Sequence, residues 1–176
     1  LLWGLILGEL ALVIGLTALL HRMSFLTATL LFIAYAVLNG VTLSAVFAVY
    51  TPASITSTFL VTAGTFGAMA LYGSVTQRDL TSWGSLGLMA LIGILIATVV
   101  NIFLRSSALY WIITFAGVLI FTGLTAYDAQ KIKQMIRSRE AVDETTQKLA
   151  LLGALSLYLD FINLFLYMLR LLGNRR

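Results

Sequence analysis

The chain has 176 residues, of which 60% are hydrophobic and only 10% are charged, and its mean hydropathy is +1.00. Soluble domains carry about a quarter charged residues, so this composition excludes a water-soluble fold and predicts a protein whose solvent is lipid. The absence of cysteine excludes disulfides, thiolate metal sites and cysteine nucleophiles, and the basic residues behind the net charge of +4 lie at segment ends, which favours anionic headgroups over nucleic acid as partners.

Six apolar runs follow one another along the chain, each close to the ~20 residues that a spanning helix needs. Short polar breaks separate them, and only the last break, from Lys131 to Lys148, is long and charged. The runs lack the sustained period-two alternation of an outer-membrane barrel. We therefore predict an all-α polytopic membrane protein. Residues 1–176 form one transmembrane domain, with spans at about 1–20, 25–49, 54–76, 84–104, 108–130 and 149–172.

The first run has no methionine or basic residue before it, and it is too long for the apolar core of a signal peptide. We interpret it as a spanning helix and expect that upstream sequence has been removed. His21, just after this run, is predicted to lie at the membrane interface.

The basic residues predict an orientation when the breaks are placed alternately on the two sides of the membrane. One side holds seven of them and the other holds four, so the first side is predicted to be cytoplasmic. The C-terminus then lies outside, provided that the last segment crosses completely. The cytoplasmic set is Arg22, Arg78, Lys131, Lys133, Arg137, Arg139 and Lys148, and the outer set is Arg105, Arg170, Arg175 and Arg176.

Small residues recur at helical spacing in the third, fourth and fifth spans. In membranes such residues allow helices to approach closely, so we predict tight packing rather than a glycine-lined pore. The positions are Gly64, Ala68, Gly73, Gly84, Gly87, Gly93, Gly117 and Gly123.

Three carboxylic acids lie within predicted spans: Glu9, Asp128 and Asp160. An ionisable group in hydrocarbon costs at least ~2.5 to 3.5 kcal/mol, so each of them indicates a functional or structural role. Asp160 lies near the middle of the last span, and polar residues follow its helix face at steps of three or four. This stripe, Ser156, Asn163 and Tyr167, is predicted to face a pore, a wet cavity or the bundle interior.

Asp128 lies near the predicted cytoplasmic mouth. If Asp128 and Asp160 met, the pair would hold a proton more readily than a lone aspartate, and it would offer carboxylate oxygens to a cation. The alternatives are that Lys131 neutralises Asp128 at the interface and that Asp160 makes a structural hydrogen bond.

Depth argues against the pair. At ~1.5 Å per residue Asp160 lies about 18 Å in from Lys148, whereas Asp128 is close to its own predicted helix end. Pairing would require the last helix to begin nearer Leu152, or the lysines after Asp128 to extend outward.

The remaining candidates are weaker. Glu9 either faces the same cavity as the aspartates or bonds a neighbouring helix. No catalytic motif is present, and the contexts of Asp128 and Asp160 lack the GxGD pattern of intramembrane aspartyl proteases, so we expect no enzyme activity. One histidine without clustered partners makes a poor metal site, and we expect no tightly bound cofactor.

Two stretches are recognisable: FTGLTAYDAQKIK at residues 121–133 and ALSLYLDFINLF at 154–165. They resemble the signature segments of the transmembrane Bax-inhibitor-motif family, and the resemblance runs along the whole chain. It implies a seven-helix fold with the last helix central, so the first helix is apparently missing here. It also implies a Ca²⁺ leak that depends on pH, with Asp128 and Asp160 as paired aspartates that share a proton in the closed state.

The resemblance implies further roles. Glu9 falls where the family can carry a membrane-embedded acid, and Arg22 or His21 corresponds to a basic latch of the closed state. We therefore expect a pH-sensitive Ca²⁺-permeable leak channel in a bacterial inner membrane, with Ca²⁺ as permeant ion or transient ligand of Asp128 and Asp160. The alternatives are a non-conducting regulator of a membrane-bound AAA protease and a proton-coupled transporter.

Overall fold

The computed structural model describes residues 2–139 and 142–175, and the side chains of residues 2–7 and 10 lie outside the described set. Five helices in the described part, α2 to α6, are long and apolar enough to cross a membrane. The N-terminal part contains a shorter apolar helical stretch, Ala11–Arg22. The all-α polytopic membrane fold is thus confirmed. The elements are α1 (Leu2–Leu19) with a 3-10 turn (Leu20–Arg22), α2 (Phe25–Phe47), α3 (Pro52–Val75), α4 (Thr81–Leu104), α5 (Ser107–Arg137) and α6 (Glu144–Leu172).

Polar residues in the breaks fix where four helices begin. Ser24, Thr51, Ser106 and Asp143 precede α2, α3, α5 and α6, and each side chain accepts a hydrogen bond from a backbone N–H in the first turn. These bonds satisfy amides that have no partner within the helix. Pro52 occupies the first turn of α3, where its missing N–H removes no helical hydrogen bond.

Helices α5 and α6 are longer than the spans predicted from hydropathy. α5 continues past the predicted end at 130 to Arg137, and α6 begins at Glu144 rather than at 149. Hydropathy ends a span at the first charges, but lysine, arginine, glutamate and glutamine are good helix formers, so the helices continue beyond the apolar core. At ~1.5 Å per residue, α5 is about 46 Å long, well above a hydrocarbon core of about 30 Å.

The antiparallel helices α5 and α6 form the centre of the bundle. α3 packs against both of them, α2 packs against α6 and α1, and α4 packs against α5. We call the end where α5 meets the beginning of α6 the basic end, because it carries Arg78 and the residues from Lys131 to Arg137.

The last helix runs the full length of the bundle without turning back. Its C-terminal residues contact the connections at the end opposite the basic end. The Thr51 N–H donates to the Asn174 carbonyl at 3.1 Å, the Asn174 N–H donates to Ser54 Oγ at 2.7 Å, and Arg175 donates to the Tyr110 hydroxyl at 3.1 Å. Helix α6 is therefore long and apolar enough for the complete crossing on which the predicted outer C-terminus depends.

Some of the small residues lie at helix contacts and others do not. A Cβ atom on Gly73 would lie 2.0 Å from the carbonyl oxygen of Ala126, and a Cβ on Gly117 would lie 2.5 Å from the ring of Tyr167. The prediction of close packing is right for these glycines and for Gly84 and Gly87. It is wrong for Gly64, Gly93 and Gly123, which have no atom within 4 Å of an added Cβ: Gly64 and Gly93 are exposed on the surface of the bundle, and Gly123 lies in an open groove between α4 and α5.

Candidate functional site

The packing of α5 against α6 determines how Asp128 and Asp160 face each other. Gly117 lies against Tyr167 towards one end of the pair of helices, and Gly153 lies against Ile132 towards the other. Between these contacts, the two aspartates are offset from each other by about one helical turn along the axes of the helices. Side chains lean towards the N-terminus of their own helix, so in antiparallel helices Asp128 and Asp160 lean towards each other.

The two carboxyl groups come within range of a carboxyl–carboxyl hydrogen bond. Asp160 is only 5% exposed, and among the described residues its Oδ2 atom has no hydrogen-bond donor. Two ionised carboxylates can only accept hydrogen bonds, so neither can satisfy the other. One proton held between them would provide the missing donor and would remove the repulsion between two like charges in the interior of the bundle.

The depth argument against this pair fails because it started from the wrong helix ends. Asp128 lies nine residues inside α5, whose last residue is Arg137. Helix α6 begins at Glu144, which is earlier in the chain, whereas pairing seemed to require a later start near Leu152. Of the two lysines after Asp128, Lys133 is directed away from it and donates a hydrogen bond to the Ser74 carbonyl, whereas Lys131 lies 5.8 Å from the centroid of the Tyr127 ring and stays on the same side of α5 as Asp128.

A cavity of about 220 Å³ lies beside the pair, between α1, α5 and the first half of α6. Asp128, Lys131 and Ser156 supply polar groups to its wall, together with Thr17 of α1, which the sequence did not single out. A single water occupies about 30 Å³ of liquid, so this space admits several waters. Asp160 is not part of this lining and lies behind Asp128.

Lys131 is the basic residue that lines the cavity together with Asp128. In the described part of the chain, however, only Lys148 and Glu144 come close enough for a salt bridge. Lys131 is therefore a neighbour of Asp128 in the cavity wall rather than its salt-bridge partner.

The predicted polar stripe on α6 divides into two parts. Ser156 lines the cavity with Asp128. Asn163 instead donates to the Leu159 carbonyl of its own helix at 2.8 Å, and the ring of Tyr167 stacks on Phe121 with centroids 5.8 Å apart. Asn163 and Tyr167 therefore serve the helix and its packing in this conformation, and of the three residues only Ser156 lines the cavity beside Asp128.

Glu9 lies apart from the aspartates. It accepts hydrogen bonds from Thr42 at 2.5 Å and from Asn39 at 3.4 Å, both on α2. The Tyr158 hydroxyl donates to the other atom of the Asn39 amide, at 3.3 Å, and links α6 to this network. Tyr158 and Asp160 point to different sides of α6, because two residues correspond to about 200° around a helix. The structure therefore places Glu9 in a bond to the neighbouring helix.

The two latch candidates, His21 and Arg22, lie in the 3-10 turn at the basic end, where both are exposed. Within the described ranges neither forms a salt bridge with an aspartate. No group of three or more histidine, cysteine or acidic residues is present among the residues described. Ca²⁺ prefers six to eight oxygens, so two aspartates and Ser156 suit an ion that passes with its waters better than one that stays bound.

Comparison with known proteins identifies the family. The family model described as "Inhibitor of apoptosis-promoting Bax1" matches residues 1–176. Inner membrane protein YbhL of Escherichia coli (strain K12) is 55% identical over 174 residues, which cover 98% of this chain and 74% of YbhL. An uncharacterized protein of Borreliella burgdorferi is 51% identical over 173 residues, covering 98% of this chain and 75% of the relative. Another from Deinococcus radiodurans is 44% identical over 172 residues, covering 98% and 74%. This multi-pass membrane protein therefore belongs to the Bax inhibitor family.

Proposed function

We propose that the chain is a pH-sensitive, Ca²⁺-permeable leak of the bacterial inner membrane, gated by the Asp128–Asp160 pair. The observation that carries this proposal is the approach of two carboxyl groups in the centre of the bundle, with an oxygen of Asp160 that lacks a donor. Glu9, Arg22 and His21 have no part in this step of the proposal.

The proton on the pair acts as the closing element. While it is shared, the two carboxyls hold α5 and α6 together. Once both groups are ionised, two unit charges about 4 Å apart repel by about 4 kcal/mol at an effective dielectric constant of about 20. That repulsion is comparable to the whole coupling energy of many conformational switches, so loss of the proton is sufficient to bias α5 and α6 towards separation.

The packing beyond the pair supports a closed state. A cluster of buried apolar side chains, Phe121, Leu164 and Met168, lies between the aspartates and the end opposite the basic end. An ion that enters the cavity beside Asp128 therefore meets an apolar barrier, and permeation requires α5 to move relative to α6. Ionisation of the pair supplies both the force for this movement and the negative charge that attracts Ca²⁺.

The test is Ca²⁺ flux into liposomes that contain the purified chain. We expect flux through the wild type to rise with pH, because the shared proton is lost as pH rises. In Asp160→Asn and in Asp128→Asn the amide cannot ionise, so flux becomes independent of pH. The matched control is Asp79→Asn: Asp79 is an exposed acid whose side chain accepts hydrogen bonds from Thr81, and asparagine can do the same. An unchanged pH response in Asp160→Asn, or no flux above empty liposomes at any pH, would overturn the proposal.

A second candidate, a non-conducting regulator of a membrane-bound AAA protease, is favoured by one observation. The last turns of α5 and the short connection after it carry exposed charges, including Arg137 and Arg139, beyond the apolar part of the bundle. If Arg137→Gln with Arg139→Gln abolishes co-purification of the protease while the wild type shows no Ca²⁺ flux, this candidate replaces the first. A third candidate, proton-coupled transport, is distinguished from the first two by a flux that follows the proton gradient rather than the absolute pH.

A further inference from the structure

A cavity that neither Asp128 nor Asp160 lines lies at the basic end. It has a volume of about 560 Å³ and is formed by the connection between α3 and α4 and by the last two turns of α5. Arg78, Lys133 and Arg137 line it together with one acid, Asp79, so that three positive charges and one negative charge leave a net charge of +2. We call this space the basic cleft.

The walls of the basic cleft are held in place by hydrogen bonds. Gln130, which is only 6% exposed, accepts from the Leu80 N–H at 2.9 Å and donates to the Arg78 carbonyl at 2.7 Å. Lys133 donates to the Ser74 carbonyl near the end of α3. The single acid is also engaged, since Asp79 accepts from the Thr81 N–H at 2.9 Å and from its hydroxyl at 2.5 Å. These hydrogen bonds hold the pKa of Asp79 below its usual value.

The cleft lies at the level of lipid headgroups. Aromatic residues mark the two interfaces of a membrane. On α5 these are Tyr110 and Tyr127, which are about 26 Å apart at ~1.5 Å per residue, close to the thickness of a hydrocarbon core. Trp83 stacks on Tyr72 with centroids 6.3 Å apart at the same end as Tyr127. Lys133 and Arg137 follow Tyr127 on α5 and therefore stand just outside the hydrocarbon.

A separate apolar groove lies further along α5, on the hydrocarbon side of the cleft. The two spaces share no lining residue, and Tyr127 lies between them on α5. The groove has a volume of about 250 Å³ and lies between α4 and α5, with Trp83, Leu86 and Gly123 in its lining. Gly123 in the groove and Gln130 in the cleft are two turns apart on one face of α5, or about 10 Å. A cationic polar site therefore lies about 10 Å from an apolar groove on the lipid-facing surface, a distance that the glycerol and the first methylene groups of one phospholipid span together.

We propose that the basic cleft and the groove together bind one anionic phospholipid. The phosphate lies among Arg78, Lys133 and Arg137, and one acyl chain lies in the groove against Gly123. Charge complementarity selects an anionic headgroup, because the lining carries a net positive charge and basic residues near an anionic surface contribute about 1 kcal/mol each. The groove selects a lipid over free phosphate, since only a lipid has an apolar chain to place there.

The test counts phosphatidylglycerol bound to the purified full chain by native mass spectrometry, with phosphatidylcholine and inorganic phosphate as the other ligands. We expect one phosphatidylglycerol to bind in preference to phosphatidylcholine, and about fivefold weaker binding in Arg78→Gln or Arg137→Gln, the equivalent of ~1 kcal/mol. The matched control is Arg139→Gln, which makes the same charge change at the same end but outside the cleft. An equal loss in Arg139→Gln would overturn the proposal, since general surface charge would then explain binding.

A second pair of variants tests the groove without changing charge. A leucine at Gly123 fills the groove, yet an added Cβ there has no atom within 4 Å, so the fold has room for it. Gly93→Leu is the control: it is equally unobstructed and lies outside the groove. We expect Gly123→Leu to weaken phosphatidylglycerol binding and Gly93→Leu to leave it unchanged. Equal binding in both variants, or displacement of the lipid by inorganic phosphate, would show that no lipid chain occupies the groove.

Discussion

The contact between α3 and α5 predicts that Gly73→Ala is strongly destabilising. Gly73 is buried, and an alanine Cβ would lie 2.0 Å from the backbone oxygen of Ala126, whereas ordinary contact begins at 3.4 Å. The two helices must therefore separate by about 1.4 Å, because a backbone oxygen cannot turn aside as a side chain does. Overpacking of this kind costs about 1 to 3 kcal/mol, and a helix backbone that must shift places this case at the upper end.

A second glycine on the same helix isolates this cost. Alanine is a better helix former than glycine by up to ~1 kcal/mol, so part of the clash in Gly73→Ala is offset. Gly67→Ala has the same gain without the clash, since nothing lies within 4 Å of its added Cβ. The difference between the two variants in free energy of unfolding, measured by titration with a denaturing detergent, should thus be about 3 kcal/mol. Equal stability of Gly73→Ala and Gly67→Ala would refute the packing of α3 against α5.

Three further predictions concern hydrogen bonds outside the aspartate pair. Gln130→Leu leaves the connection after α3 without its two bonds and should cost about 1 to 3 kcal/mol in the same titration, whereas Gln134→Leu, on an exposed side chain, should cost little. Thr42→Val removes a donor to Glu9 and should loosen α1 by about 1 kcal/mol, whereas Thr42→Ser retains the bond and should not. The hydrogen bonds that Asp143 accepts at the beginning of α6 lower its pKa below 3.8. The stability that they add to the first turn of α6 is therefore complete above pH 3.8 and is lost as pH falls through the lowered pKa. Amide exchange at the first turn of α6, expressed relative to the intrinsic exchange rate at each pH, should therefore speed up in acid in the wild type but not in Asp143→Asn, and identical pH profiles would contradict this.

Hydropathy was sufficient to predict the order of the helices, because lipid as the solvent demands long apolar runs and little else. It was insufficient for the ends of α5 and α6, where a helix continues through Lys131 and Glu144 although hydropathy falls. That error made Asp128 appear too shallow to meet Asp160. A sequence shows how residues are spaced along one helix, but it does not show how two adjacent helices are aligned along their axes.

For the candidate site, too, the sequence identified the residues but not the contacts between them. The three acids within the predicted spans could be identified from the cost of placing a carboxyl group in hydrocarbon. Which of these acids meet could not be predicted from the sequence. The answer depends on contacts such as that of Gly153 with Ile132, which determine how α5 and α6 are aligned along their axes. Glu9 has the same local pattern as the aspartates, yet its partners, Thr42 and Asn39, lie on a different helix. The polar stripe on α6 was predicted as a unit, and only Ser156 reaches the cavity.

The central claim is that Asp128 and Asp160 share one proton, and infrared spectroscopy of the protonated carboxyl group tests it most directly. If the proton is shared, the wild type has a carboxyl C=O band at neutral pH that disappears as pH is raised. Asp128→Asn and Asp160→Asn should each remove that band entirely, and the double variant should remove no more than either single one. A band that only one of the two substitutions affects, or the lack of any such band in the wild type, would contradict the shared proton.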